Sequence, residues 1–117
     1  MMRIVAKSKL HGLRVTETNL AYGGSLTLDP DLMAAADIVP GERVQVVNLD
    51  NGNRLETYII EGRPGSGDCI LNGPAALKGE VGQTVHVISY ALFGPDEDTR
   101  DMPRSVVVDN QNRVAGD

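Results

Sequence analysis

Tyr22-Gly23-Gly24-Ser25 places a serine hydroxyl within reach of the peptide carbonyl that precedes it. Attack of Ser25 on the carbonyl of Gly24 requires a distorted backbone. Glycine at position 24 favours it twice, because it has no Cβ to block the approach and it tolerates φ > 0. The resulting ester can eliminate to dehydroalanine, and hydrolysis of that residue leaves a ketone-bearing pyruvoyl group. The chain would then be a precursor that builds its own electrophile. A two-glycine turn closed by serine accounts for the same four residues without any chemistry.

Other residues add to the first reading. Lys9 and His11 are two apart, so on a strand they project to the same side. Arg54 and Tyr58 are four apart and share a strand face, with Thr57 on the other face unless a bulge re-aims it. Lys9 and Arg54 form a candidate anion site, Tyr58 a candidate proton donor, and Asn72-Gly73 a polar turn beside them. Taken singly, each has a plainer explanation: a solvated cation, a packing tyrosine, an ordinary turn. Aromatic residues are scarce, with only Tyr22, Tyr58, Tyr90 and Phe93 present.

The elements that must hold these residues are short. Residues 2–6 and 10–16 read as strands, the second with Leu13 and Val15 alternating with polar neighbours. Residues 26–28 form a strand after the Gly-Gly-Ser turn. Asp29-Pro30-Asp31 signals a helix start, with Asp29 as N-cap and Pro30 in the first turn. That helix runs over 32–36 and stops at Val39-Pro40-Gly41. Strands at 43–49 and 54–61 are joined through Asp50-Asn51-Gly52, whose Asn-Gly pair marks a hairpin turn. A glycine-rich loop over 62–67, a strand at 69–71, a helical piece at 75–78 and a strand at 84–90 follow. Beyond Phe93 the chain turns acidic and polar, apart from Val106-Val107-Val108. This tail is expected to be loosely held or docked on a neighbouring subunit, with its last residues disordered.

The pattern Gly-x-x-Val-x-Val occurs at Gly41–Val46 and again at Gly82–Val87, each time after a strand and a short alanine-bearing helix. That repetition suggests two interlocked halves related by a pseudo-twofold axis. Closure into a small barrel would protect the edges of such short strands. A six-stranded barrel with two short helices is the expected architecture.

Composition narrows the function. At 117 residues the chain makes one domain with a modest core. A formal charge of −5 and a pI near 4.9 argue against a nucleic-acid surface. The lone Cys69 excludes an internal disulfide, fits a reducing cytoplasm and, in its apolar run, reads as a buried inert thiol. Residues 1–10 lack the apolar core of a signal peptide, and no apolar run reaches the length of a membrane span. His11, His86 and one cysteine make no recognisable metal site.

Lys9-Leu10-His11 with Val15-Thr16, Tyr22 with Gly24-Ser25, Asn51-Gly52 with Arg54, Thr57-Tyr58, and Asn72-Gly73 with Ala75-Ala76 stand in a telling order and spacing. Together they resemble the pyruvoyl-dependent aspartate 1-decarboxylases. The likeness runs from the N-terminus to about residue 95. It implies a mainly β fold, a six-stranded double-psi β-barrel with short helices over 1–95, followed by an acidic tail over 96–117. It also implies cleavage between Gly24 and Ser25 into a β chain, 1–24, and an α chain, 25–117, with a pyruvoyl cofactor derived from Ser25. Thr57 would stabilise the oxyanion as Ser25 attacks, and His11 and Tyr22 would shape the processing site. L-aspartate would condense with the ketone as a Schiff base, lose CO2, and regain a proton from Tyr58 to give β-alanine for pantothenate biosynthesis. Lys9 and Arg54 would bind carboxylate, and Thr57, Asn72, Gly73, Pro74 and Ala75 would complete a pocket between subunits of a cytoplasmic homotetramer.

Two residues depart from the family pattern. Pro74 stands where alanine is usual and has no N–H to donate. His86 lies in a strand usually apolar in relatives, and is expected to face the surface. Gly23 beside Gly24 is expected to loosen the scissile turn. The competing functions are a non-catalytic barrel holding an acidic ligand and an unprocessed structural homo-oligomer.

Overall fold

Alternation of buried and exposed residues produces the strands, and one bulge decides which side chains reach the core. In the computed structural model, which describes residues 1–115, β1 runs over Arg3–Arg14. Leu10 and Leu13 are both fully buried although they are three apart. The register of β1 shifts between Leu10 and Leu13, and Gly12 adopts a φ of +83°. The extra residue flips the parity of the strand, which keeps both leucines inside. The two strands expected over 2–6 and 10–16 are therefore one, because bulges absorb the irregular pattern without ending the pairing.

The remaining elements are β2 (Glu17–Asn19), β3 (Ser25–Leu28), α1 (Pro30–Ala35), β4 (Arg43–Asn48), β5 (Arg54–Glu61), β6 (Cys69–Asn72), a 3-10 helix (Gly73–Lys78), β7 (Thr84–Phe93) and β8 (Arg104–Val107). The fold is mainly β as expected, with eight strands in place of six, in the order β2-β6-β3-β5-β4-β7-β1-β8.

The two copies of the repeat meet each other. β4 pairs antiparallel with β7, with Val46 directly opposite its counterpart Val87. β3 pairs antiparallel with β6. β3 also runs parallel to β5, while β6 runs parallel to β2, so each half lends a strand to the other. This reciprocal exchange interlocks the halves about a pseudo-twofold axis. The core between them is aliphatic, built from residues such as Leu26, Leu28, Val44, Ile59, Leu71 and Val85. Each such side chain contributes about 1.5–3 kcal/mol on full burial.

The tail carries a strand: Arg104–Val107 pairs parallel with Ser8–His11 of its own chain, so this part is held rather than loose. β-Branched Val106 and Val107 suit a strand, and β1 offers them an open edge. Asn112, buried at a φ of +57°, then staples the tail down. It accepts from the Arg14 amide and donates to the carbonyls of Arg14 and Gly67. Residues 116–117, at the end expected to be disordered, lie outside the described residues.

Asp29 caps α1 as the sequence suggests and does more. Its buried carboxylate accepts from the amides of Asp31, Gly65 and Gly67 at 2.9, 3.1 and 2.9 Å. The loop over 62–67 is thereby tied to the end of β3, the strand that begins with Ser25.

Candidate active site

Backbone strain is concentrated at the Gly24-Ser25 bond. Gly24 has a φ of +124°, which glycine accepts at little cost, but Ser25 has a φ of +125°, which a side chain resists. Such a conformation costs about 1–3 kcal/mol and persists only where the surroundings enforce it. Ser25 is only 1% exposed, and its Oγ accepts from Asn72 Nδ2 at 3.0 Å. The same amide donates to Thr27 Oγ1 at 2.9 Å. These contacts follow from the register of β3 on β6, which sets Ser25 opposite Asn72.

Gly73 supplies the close approach. It has a φ of +62°, and a Cβ added there would lie 2.6 Å from the Gly24 nitrogen and 2.7 Å from both Gly24 Cα and the Tyr22 carbonyl oxygen. Backbone therefore packs on backbone across the Gly24-Ser25 turn. Gly73→Ala is expected to displace that turn, destabilise the fold by about 1–3 kcal/mol and slow any reaction at Ser25. Thermal melts together with intact mass over time would check it, and an unchanged variant on both counts would refute the close approach.

A pocket of about 350 Å³ opens on Ser25. Gly23 and Gly24 form one wall, Leu55, Glu56, Thr57 and Tyr58 of β5 a second, and Asn72, Pro74, Ala75 and Lys78 a third. Burial along β5 alternates, so Arg54, Glu56 and Tyr58 face outward while Leu55 and Thr57 turn inward. No bulge is needed to bring Thr57 and Tyr58 together, because the pocket reaches both faces of the strand. Pro74 stands at the first turn of the 3-10 helix, where a missing N–H is no loss to the helix.

Five expected site residues do not line this pocket. Gly73 supports it from behind. The Tyr22 carbonyl oxygen packs close to Gly73, and the residue as a whole is half exposed. Arg54 donates to Gln45 Oε1 at 3.2 Å, which turns it along the sheet towards β4. Lys9 and His11 are on β1, three strands away from β5 in the sheet order. Leu55, Glu56 and Lys78 line the pocket without having been singled out from sequence, and Gly23 was marked only for its effect on the turn. Nothing local marks them, since their presence there depends on which strands meet.

His86 does not simply face the surface. Its ring stacks on that of His11 with centroids 4.1 Å apart, and its Nδ1 accepts from the Gly12 amide at 3.1 Å. The β1 bulge leaves that amide without a strand partner, and the imidazole fills the need. Burial, then the neighbouring His11 and Lys9, hold its pKa down to about 4. The unfolded chain thus binds a proton at His86 that the folded chain refuses between about pH 6.5 and about pH 4. Stability from this group is complete above pH 6.5 and is lost as pH falls through that window. His86→Val should flatten part of the decline in Tm from pH 6.5 to 4, and an unaltered slope would contradict the assignment.

Cys69 is fully buried and its thiol is pushed up to about 12, so it is not a nucleophile at neutral pH. Among the described residues no cluster of His, Cys, Asp or Glu could hold a metal, and no helix is long and apolar enough to cross a membrane.

A mainly β chain with a strained, buried serine at the edge of a pocket is what the fold and site define. The chain matches the family Aspartate decarboxylase over residues 1–115. It is 46% identical over 114 residues to aspartate 1-decarboxylase of Listeria welshimeri, covering 97% of this chain and 90% of that protein. It is 48% identical to the enzyme of that name from Caldicellulosiruptor saccharolyticus, with 97% and 89% covered. Two designed double-psi β-barrel proteins are also similar in structure. One has 18% identity and a TM-score of 0.49 over 66% of this chain and 90% of that one. The other has 14% identity and a TM-score of 0.48 over 76% and 99%, and at such scores neither adds to the family result. The chain belongs to the aspartate decarboxylase family.

Proposed function

We propose that this aspartate decarboxylase is a self-processing precursor in which Ser25 Oγ attacks the carbonyl carbon of Gly24. The acyl group moves from nitrogen to oxygen, giving an ester. Elimination then releases the Gly24 carboxylate and leaves dehydroalanine, which takes up water and loses ammonia to become a pyruvoyl terminus. The observation that carries this reading is the positive φ of Ser25, held by Asn72 and by Gly73 behind the turn. Strain relief favours opening of that one peptide bond, and the Asn72 amide fixes the direction of the attacking oxygen. Thr57, inward on β5 and lining the same pocket as Gly24 and Ser25, donates to the developing oxyanion in this reading.

When present, the pyruvoyl group supplies an electrophilic carbonyl that accepts the electron pair left as CO2 departs. The chain's own residues do the rest. Tyr58 borders the same pocket and delivers the proton that completes β-alanine, a pantothenate precursor. Asn72 and the backbone at Ala75 orient substrate, while Pro74 presents a surface without an N–H. Lys9 and Arg54 add positive charge for the dianionic substrate. Their distance from the pocket in one protomer suits a homotetramer in which a neighbouring chain completes the site, with His11 and Tyr22 at its margin.

Intact mass of the purified chain tests the proposal. The expected result is a fragment of residues 1–24 and a longer fragment whose new terminus is trapped by borohydride with aspartate. A single, stable polypeptide would overturn it.

A further inference from the structure

We infer that Gln45 is the positioning residue for Arg54, holding its guanidinium ready for a substrate carboxylate; this rests on Arg54 supplying positive charge to the decarboxylation site. Gln45 Oε1 accepts hydrogen bonds from two other strands. Arg54 Nη1 of β5 donates at 3.2 Å and Tyr90 Oη of β7 at 2.8 Å. A guanidinium can only donate, so the amide turns its oxygen, and not its nitrogen, towards Arg54. Tyr90 takes the second lone pair of that oxygen and fixes the amide in this orientation.

Strand register builds the chain of three. Gln45 lies on β4, which runs between β5 and β7. It stands opposite Glu56 on one side and Ile88 on the other. Arg54 is two residues from Glu56, and Tyr90 two residues from Ile88, so both are diagonal neighbours of Gln45 on the same face. Arg54 and Tyr90 are exposed and Gln45 is half-buried, which sets the group on the outward face of the sheet, open to a neighbouring chain.

The partner is neutral, and that matters. Glu56, the acidic group nearest in register, is already paired with Arg43, Nε to Oε2 at 2.7 Å. An amide oxygen steers Arg54 and leaves its charge uncompensated, whereas a carboxylate would pair with it. Gln45 also occupies Nη1 alone. Nε and Nη2 of Arg54 have no partner among the described residues, and they form an edge that can grip both oxygens of a carboxylate. An unanchored surface arginine would lose rotamer freedom on binding an anion; here Gln45 and Tyr90 order it beforehand.

Gln45→Leu, Arg54→Met and the double variant, each assayed as processed protein, test this. Arg54→Met should raise KM for aspartate about tenfold. Gln45→Leu should raise it about threefold to fivefold, with kcat changed less than about twofold, because no group that makes or breaks bonds is touched. KM of the double variant should match that of Arg54→Met alone, since Gln45 acts only through Arg54. Tyr90→Phe should give a smaller rise in KM. Intact mass should show wild-type cleavage throughout. A wild-type KM in Gln45→Leu, or effects that multiply in the double variant, would overturn the inference and leave Arg54 in its role. A wild-type KM in Arg54→Met would defeat the charge assignment and this inference with it.

Discussion

Ser25→Ala yields one uncleaved chain, and its aspartate decarboxylase activity is lower than wild type by at least about four orders of magnitude. The substitution removes the only atom that can attack the Gly24 carbonyl, and with it the source of the electrophile. Misfolding does not explain the loss. Asn72 Nδ2 keeps Thr27 Oγ1 as a partner and loses one of its two, at a cost of about 1–3 kcal/mol. Denaturing electrophoresis and intact mass read the cleavage, and a circular dichroism melt confirms the fold. Two fragments from the variant, or wild-type activity without cleavage, would remove Ser25 from the chemistry.

Tyr58→Phe separates making the electrophile from using it. The variant should cleave as completely as wild type, because Tyr58 only borders the pocket and, among the described residues, the Ser25 hydroxyl bonds to Asn72 rather than to Tyr58. Its kcat should fall by about 10²- to 10⁴-fold, the usual contribution of a positioned proton donor, with KM little changed. Tyr58 is 48% exposed, so loss of its hydroxyl costs little folding energy. A kcat within threefold of wild type would assign the proton to another group. A failure to cleave would move Tyr58 into the processing step.

These two residues were legible in the sequence for different reasons. Gly24-Ser25 is a covalent juxtaposition, so the reach of the hydroxyl to the carbonyl needs no fold to reveal it. Tyr58 stood out through rarity and through its spacing from Arg54. The N-cap at Asp29 and the Asn51-Gly52 turn were equally clear, since each depends on atoms within a few residues. The repeat at Gly41 and Gly82 signalled two halves, and the pairing of Val46 with Val87 is the form that symmetry takes.

Other features needed the whole chain. Lys9 and Arg54 share a charge and a chemical type with Lys78, yet only Lys78 reaches the pocket, because rotamers and partners are chosen by packing from distant strands. The bulge at Gly12 that seats His86 on His11 is a matter of pairing register. The tail strand exists because β1 has an unpaired edge to receive it.

By itself, the sequence determined which bond can break, which side chains can move a proton or bind a carboxylate, and where the chain turns. Those properties belong to residue types and near neighbours. Only the tertiary structure decided that Ser25 is strained, that Gly73 presses on Gly24, and that Lys78 faces the pocket. Each of these is a contact between segments far apart in the chain, and only the pairing of β3 with β6 and the packing of the 3-10 helix bring the groups within van der Waals reach.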